Sequence, residues 1–86
     1  MKVRIPSPLH SYTNNLSLVQ GSGLTLGQVL QDLDRQFPGI RFRMIDEQDQ
    51  IRAHIKIFIN GNQVKPLSHT VQAADSIAIV QSFSGG

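Results

Sequence analysis

Lys2-Val3-Arg4-Ile5 alternates polar and apolar side chains with a period of two and then meets Pro6 and Pro8, which reads as a short strand ended by proline. The polar segment from His10 to Asn15 predicts a turn or loop. Leu16-Ser17-Leu18-Val19 resumes the alternation and Gly21-Ser22-Gly23 ends it, so the two runs predict an N-terminal hairpin. The period then changes. Leu26, Val29, Leu30, Leu33 and Phe37 fall at i, i+3, i+4, i+7 and i+11, one apolar stripe opposite Gln31, Asp32 and Arg35. Thr25 and Gln28 have capping-box spacing, in which hydroxyl and amide each satisfy an orphan backbone N–H of the first turn, and Pro38-Gly39 stops the run. The pattern predicts an amphipathic helix over residues 25–37.

Ile40, Phe42, Met44 and Ile45 fit either a short helical turn or an extended segment, and Asp46-Glu47-Gln48-Asp49-Gln50 reads as a solvated loop. Ile55-Lys56-Ile57-Phe58-Ile59 is a β-rich run ending in Asn60-Gly61, the dipeptide whose tolerance of positive φ suits a tight hairpin, with Gln63-Val64-Lys65 as the return. Ile77-Ala78-Ile79-Val80 is the last strand, and the tail follows it. One helix stripe must bury itself on one sheet face. Val3, Ile5, Leu16, Leu18, Ile55, Ile57, Ile59, Ile77 and Ile79 are the expected inward positions. The fold class is α+β, a sheet of four to five strands packed on one main helix, with residues 1–81 as the domain and 82–86 as a flexible C-terminal tail.

Composition narrows the function classes. With 86 residues the chain forms one domain of about 12 Å radius of gyration, too small to enclose a large active site. The apolar share of 40% is that of a globular chain, and no apolar run approaches the ~20 residues of a membrane span. No signal-peptide pattern follows Met1-Lys2-Val3-Arg4, so the cytoplasm is the expected location. The formal charge is +2, and the basic residues are scattered along the chain, unlike the clustered stripe of a nucleic-acid binder. Neither nucleic acid nor membrane is an expected partner. The absence of cysteine excludes disulfides, thiol catalysis and thiolate metal sites on this chain.

His10, His54 and His69 lie in different segments without i, i+4 pairing, so no metal site is expected. Asp46, Glu47 and Asp49 lack the ligand ladder of a calcium loop. Gly21-Ser22-Gly23 has no lysine after it and no third glycine, so it reads as a strand-to-helix turn rather than a phosphate loop. Spacing assigns no Ser/His/Asp grouping and no catalytic residue. What remains is Gly85-Gly86: two residues without Cβ atoms can thread a narrow slot in a partner and carry a carboxylate into it.

Gly23-Leu24-Thr25-Leu26 leading into the helix, Phe37-Pro38-Gly39-Ile40 closing it, Ile57-Phe58-Ile59-Asn60-Gly61, and Ala74-Asp75-Ser76-Ile77-Ala78-Ile79 before Gly85-Gly86 together resemble the MoaD/ThiS sulfur-carrier family. The resemblance covers nearly the whole chain and implies a ubiquitin-like β-grasp fold with a mixed sheet. The long crossover with its acidic loop is similar to the branch that includes cysteine-synthesis sulfur carriers. The chain departs from the family pattern in two places: Ala74 stands where glycine is usual, and Gln81-Ser82 where proline-containing residues are usual.

The resemblance implies that a ubiquitin-activating-type adenylating enzyme activates the carboxylate of Gly86 with ATP and magnesium. A sulfurtransferase or sulfide donor then converts it to a thiocarboxylate, which donates sulfur to a synthase in cofactor (molybdopterin, thiamine) or amino-acid biosynthesis. The chain itself is expected to bind no cofactor or metal and to be no enzyme, because these groups belong to the partners. If Ile55, Ile57 and Ile59 face the helix, Lys56 and Phe58 face the open side, where Phe58 is either a docking residue or an ordinary half-buried sheet residue. The family commonly has an apolar residue at the position of Phe83, so Phe83, with Ser84, is a candidate partner anchor. Two alternatives share the fold: a ubiquitin-like modifier joined through Gly86 to lysines, and a non-catalytic β-grasp interaction module.

Overall fold

The isoleucine-rich run Ile55–Ile59 forms a strand, and the chain reverses right after it because Asn60 and Gly61 both take positive φ, 51° and 86°. The computed structural model describes residues 1–82. In chain order the elements are β1 (Lys2–Arg4), a 3-10 helix (Ser7–Tyr12), β2 (Leu18–Gln20), α1 (Leu26–Gln36), α2 (Ile40–Met44), β3 (Ile55–Ile59), β4 (Asn62–Gln63) and β5 (Ser76–Gln81). The strands make one five-stranded sheet in the order β2-β1-β5-β3-β4, with β1 and β5 parallel and the other pairs antiparallel. Val3, Val19, Ile57, Ile77 and Ile79 of the sheet share one buried cluster with Leu26, Val29, Leu30 and Leu33 of α1 and with Ile40 and Met44 of α2. This is the expected ubiquitin-like β-grasp, with a Cα radius of gyration of 11.7 Å.

The apolar stripe of α1 is buried as its spacing predicts, with Phe37 half-buried at the C-cap. Thr25 Oγ1 accepts from Gln28 N at 3.2 Å, but the Gln28 side chain accepts from Leu24 N at 2.8 Å rather than from a helical N–H. The carbonyls of His69 and Leu67 satisfy the N–H groups of Leu26 and Gly27, so a loop distant in sequence completes the cap. Gly23 is required by close approach: a Cβ there would lie 2.8 Å from Val29 N. Gly39 takes φ +96° between the two helices, and the open choice over residues 40–45 resolves as the short helix α2.

Four expectations are corrected. Residues from His10 onward do not begin a plain loop; a 3-10 helix starts after Pro6, because a proline in the first turn forfeits no helical hydrogen bond. β2 runs from Leu18 to Gln20, not from Leu16 to Val19, and its inward residue is Val19, whereas Leu16 and Leu18 are 50% and 41% exposed. The register is set by the preceding turn. Asn14 and Asn15 take positive φ, Thr13 Oγ1 donates to Leu16 O at 2.7 Å, and Ile5 N donates to Ser17 O at 2.8 Å, which places Val19 opposite Val3. The return strand is only Asn62–Gln63, and the last strand extends to include Ser76 and Gln81.

The departure at Ala74 costs the turn nothing, since Ala74 is not among the positive-φ residues and Asp75 N reaches Gln72 O at 2.9 Å. Asp75 accepts from Gln72 N and from Asn60 Nδ2, bonds that hold its carboxyl below the usual aspartate value, and Asn60 Oδ1 accepts from Ser76 N at 3.0 Å. This network ties the β3–β4 turn to the start of β5.

The register of β2 predicts opposite outcomes for neighbouring residues. Val19→Ala removes two buried methyl groups and is expected to cost about 1–2 kcal/mol in denaturant unfolding. Leu18→Ala is expected to stay within about 0.5 kcal/mol of the parent. A larger loss at Leu18 than at Val19 would contradict the register.

Candidate docking face

Paired residues of neighbouring strands project to the same face of a sheet. Leu18, Arg4, Ala78, Phe58 and Gln63 therefore form one row across all five strands, on the side away from the helices, with Val80 and Lys56 beside it toward the end of β5. Leu18 and Val80 are exposed, at 41% and 45%, while Phe58 and Ala78 are half-buried. The result is an apolar patch of Phe58, Ala78 and Val80 on a face that no described element covers, with Lys56 at its edge and Arg4 standing between Ala78 and Leu18. An aromatic flanked by aliphatic side chains with cations beside them suits a protein partner.

Alternation places Lys56 and Phe58 on this face as expected. The Lys56 ammonium donates to Ala53 O at 3.0 Å, which draws it toward the end of the sheet from which the chain leaves. Leu18, Val80 and Arg4 complete the strip and were not anticipated. Val80 was legible, since it shares parity with Ala78 against the inward Ile77 and Ile79; Leu18 was hidden by the wrong register. Ser82 N donates to His54 O at 2.9 Å, continuing the β5–β3 pairing by one residue. Phe83, Ser84, Gly85 and Gly86 lie outside the described residues.

The remaining candidates have structural work. His10 Nε2 lies 2.8 Å from Ile5 O and ties the 3-10 helix to the end of β1. Ser22 N donates to Asp32 at 3.1 Å, so the protein's own carboxylate occupies the turn that superficially suggested a phosphate loop. The hydrogen bond from Arg35, followed by those from Ser22 N and Gln36, holds the Asp32 carboxyl below the usual value. Asp46 Oδ1 accepts from Gln48 N and Gln50 N and closes the acidic loop on itself. Among the described residues no three His, Cys, Asp or Glu side chains converge, and no helix is long and apolar enough to cross a membrane.

The model of the ThiS family matches residues 3–86. The chain belongs to the ThiS family. Its relatives include the sulfur carrier protein CysO of Mycobacterium tuberculosis, 32% identical over 89 residues that cover 98% of this chain and 96% of the relative. Among solved structures, CysO of Amycolatopsis orientalis in complex with BexX superposes with a TM-score of 0.91 at 25% identity, covering 99% of this chain and 98% of that one. The crystal structure of Mycobacterium tuberculosis CysO gives a TM-score of 0.90 at 29% identity, with 95% and 98% covered. The resemblance to MoaD/ThiS carriers is thus borne out. Membership places this ThiS-family chain among small non-catalytic carriers rather than enzymes.

Proposed function

We propose that this chain carries sulfur as a thiocarboxylate on Gly86. The observation that bears most weight is the family match, which runs through the Gly85-Gly86 pair, together with relatives named as sulfur carriers. Activation follows from chemistry. A carboxylate is a poor acyl donor, so one of its oxygens attacks the α-phosphorus of ATP, pyrophosphate leaves, and the acyl-adenylate is then opened by sulfide with loss of AMP. In this reading ATP, magnesium and the sulfur source are held by partners, an adenylating enzyme and a sulfur donor, as groups that carry the hard chemistry of the reaction. A sulfur-accepting synthase consumes the product, and the CysO relatives favour the cysteine-synthesis branch over molybdopterin or thiamine. That the Amycolatopsis CysO was solved with BexX supports a partner-docking role for the fold.

In this scheme the strip of Leu18, Ala78, Phe58 and Val80 docks the adenylating enzyme while Phe83 and Ser84 enter its slot ahead of Gly85 and Gly86. Five extended residues from Ser82 reach about 17 Å, far enough to place Gly86 inside a partner while the sheet stays outside.

Incubation with an adenylating enzyme, ATP, magnesium and sulfide is expected to increase the mass of the chain by about 16 Da, one oxygen replaced by sulfur. Phe58→Ala is expected to weaken binding to that enzyme by about 1–3 kcal/mol with the fold retained. Adducts of much higher mass, mapping Gly86 to lysines of other proteins, would replace this reading with that of a protein modifier. Unchanged affinity of Phe58→Ala with a large fall in melting temperature would make Phe58 a structural residue only.

A further inference from the structure

Val80 and Gln81, the last two residues of β5, project to opposite sides of the sheet: Val80 to the docking face and Gln81 to a crevice beside α2. Pro8, Phe42, Arg43, Arg52, His54 and Gln81 line this crevice, and none of its lining residues is acidic. Phe42 is 54% exposed, although apolar residues around it in the chain are buried. The Arg52 guanidinium lies 4.6 Å from the centroid of its ring, and Arg52 Nε donates to Phe42 O at 2.8 Å. Among the described residues the ion pairs are Arg35–Asp32 and Arg41–Asp49, so Arg43 and Arg52 carry unneutralised charge. Gln81 Oε1 is buried with no donor among the described residues. An exposed aromatic stacked with arginine, a second free arginine and an unpartnered acceptor are the components of an interface centre.

We infer that this crevice is a second contact surface for the adenylating enzyme, fitted by carboxylates and an N–H donor on the rim of the slot that takes the tail. The inference rests on the carrier reading above and adds the chemistry of the partner surface. Its geometric basis is reach. The residues after Ser82 span at most about 14 Å, so a slot that brings Gly86 to a nucleotide admits the chain nearly to the end of β5. A rim that close meets both faces at once, Val80 on one side and Gln81 on the other. Its electrostatic basis is the root of the tail itself, where Arg43 and Arg52 on the crevice side and Lys56 on the docking side form a basic collar. Charge of one sign around the entry point selects a partner rim of the opposite sign and speeds encounter.

The test measures KM for this chain in adenylation by the purified adenylating enzyme, at low and high ionic strength. Arg43→Glu and Phe42→Ala alter the crevice, and Arg35→Glu makes the same change of charge on α1, away from it. Arg43 makes no side-chain hydrogen bond among the described residues, and melting temperatures verify that each variant is folded. Arg43→Glu and Phe42→Ala are expected to raise KM at least about tenfold with kcat unchanged, and the Arg43→Glu deficit to shrink as salt is raised to about 0.5 M. Arg35→Glu is expected to remain within about twofold of the parent. Crevice variants with parental KM, or a loss matched by Arg35→Glu, overturn the inference while leaving the carrier reading intact. Failure of the parent chain to be adenylated removes the carrier reading and the inference with it.

Discussion

β5 lies between β1 and β3, and its two-sided pairing is the constraint on which the other features depend. Its parallel register with β1 sets Ile77 against Val3, and its antiparallel register with β3 sets Ile79 against Ile57. These residues bury completely or nearly so against α1, each removal from water contributing about 1.5–3 kcal/mol. The same registers bring Ala78 beside Arg4 and Phe58 on the opposite face. One strand thus fixes the core and the docking strip together. β1 pairs with β5 only as far as Ala78, so the end from which the chain leaves the sheet, Val80 and Gln81, is held by β3, with Ser82 N donating to His54 O. The edges fall to β2 and β4, which are short, and Gln36 Nε2 donates to Gln20 O at 3.0 Å, occupying part of the β2 edge.

What the sequence made legible was whatever local spacing controls. The stripe of α1, the Asn-Gly turn and the alternation of Ile55–Ile59 each depend on neighbours within a few residues, and each formed as predicted. β2 did not, because its register is decided by the Thr13–Asn15 turn and by the bond from Ile5 to Ser17, neither of which alternation encodes. The capping of α1 shows the same limit: Thr25 was readable, while the carbonyls of Leu67 and His69 come from some forty residues away. Two prolines suggested only an end to β1. The structure uses them to begin a 3-10 helix whose Leu9 joins the core.

The site followed the same division. Lys56 and Phe58 could be placed by parity, and so could Val80, but Leu18 became visible only once the register was corrected. The crevice beside the end of β5 could not be read from sequence at all. Phe42 and Arg52 are ten residues apart and meet because the Ile45–Ile51 bridge folds the acidic loop out between them. The chemistry we propose for the chain is correspondingly spare: a rigid handle, a docking strip and a carboxylate delivered to another protein's active site.

The central claim is that Gly86 is the reactive end and that its position in the slot is set by chain length. ATP–pyrophosphate exchange by the adenylating enzyme tests it most directly, comparing the parent with a chain lacking Gly86, a chain one residue longer and Gly85→Phe, with thermal unfolding measured for each. Shifting the end moves the carboxylate away from the α-phosphorus, and a side chain at position 85 blocks the slot. The expected result is exchange with the parent alone and unfolding temperatures that agree across the set, since residues at the end of a tail bury little. Exchange by the shortened or lengthened chain at the parental rate would contradict the account.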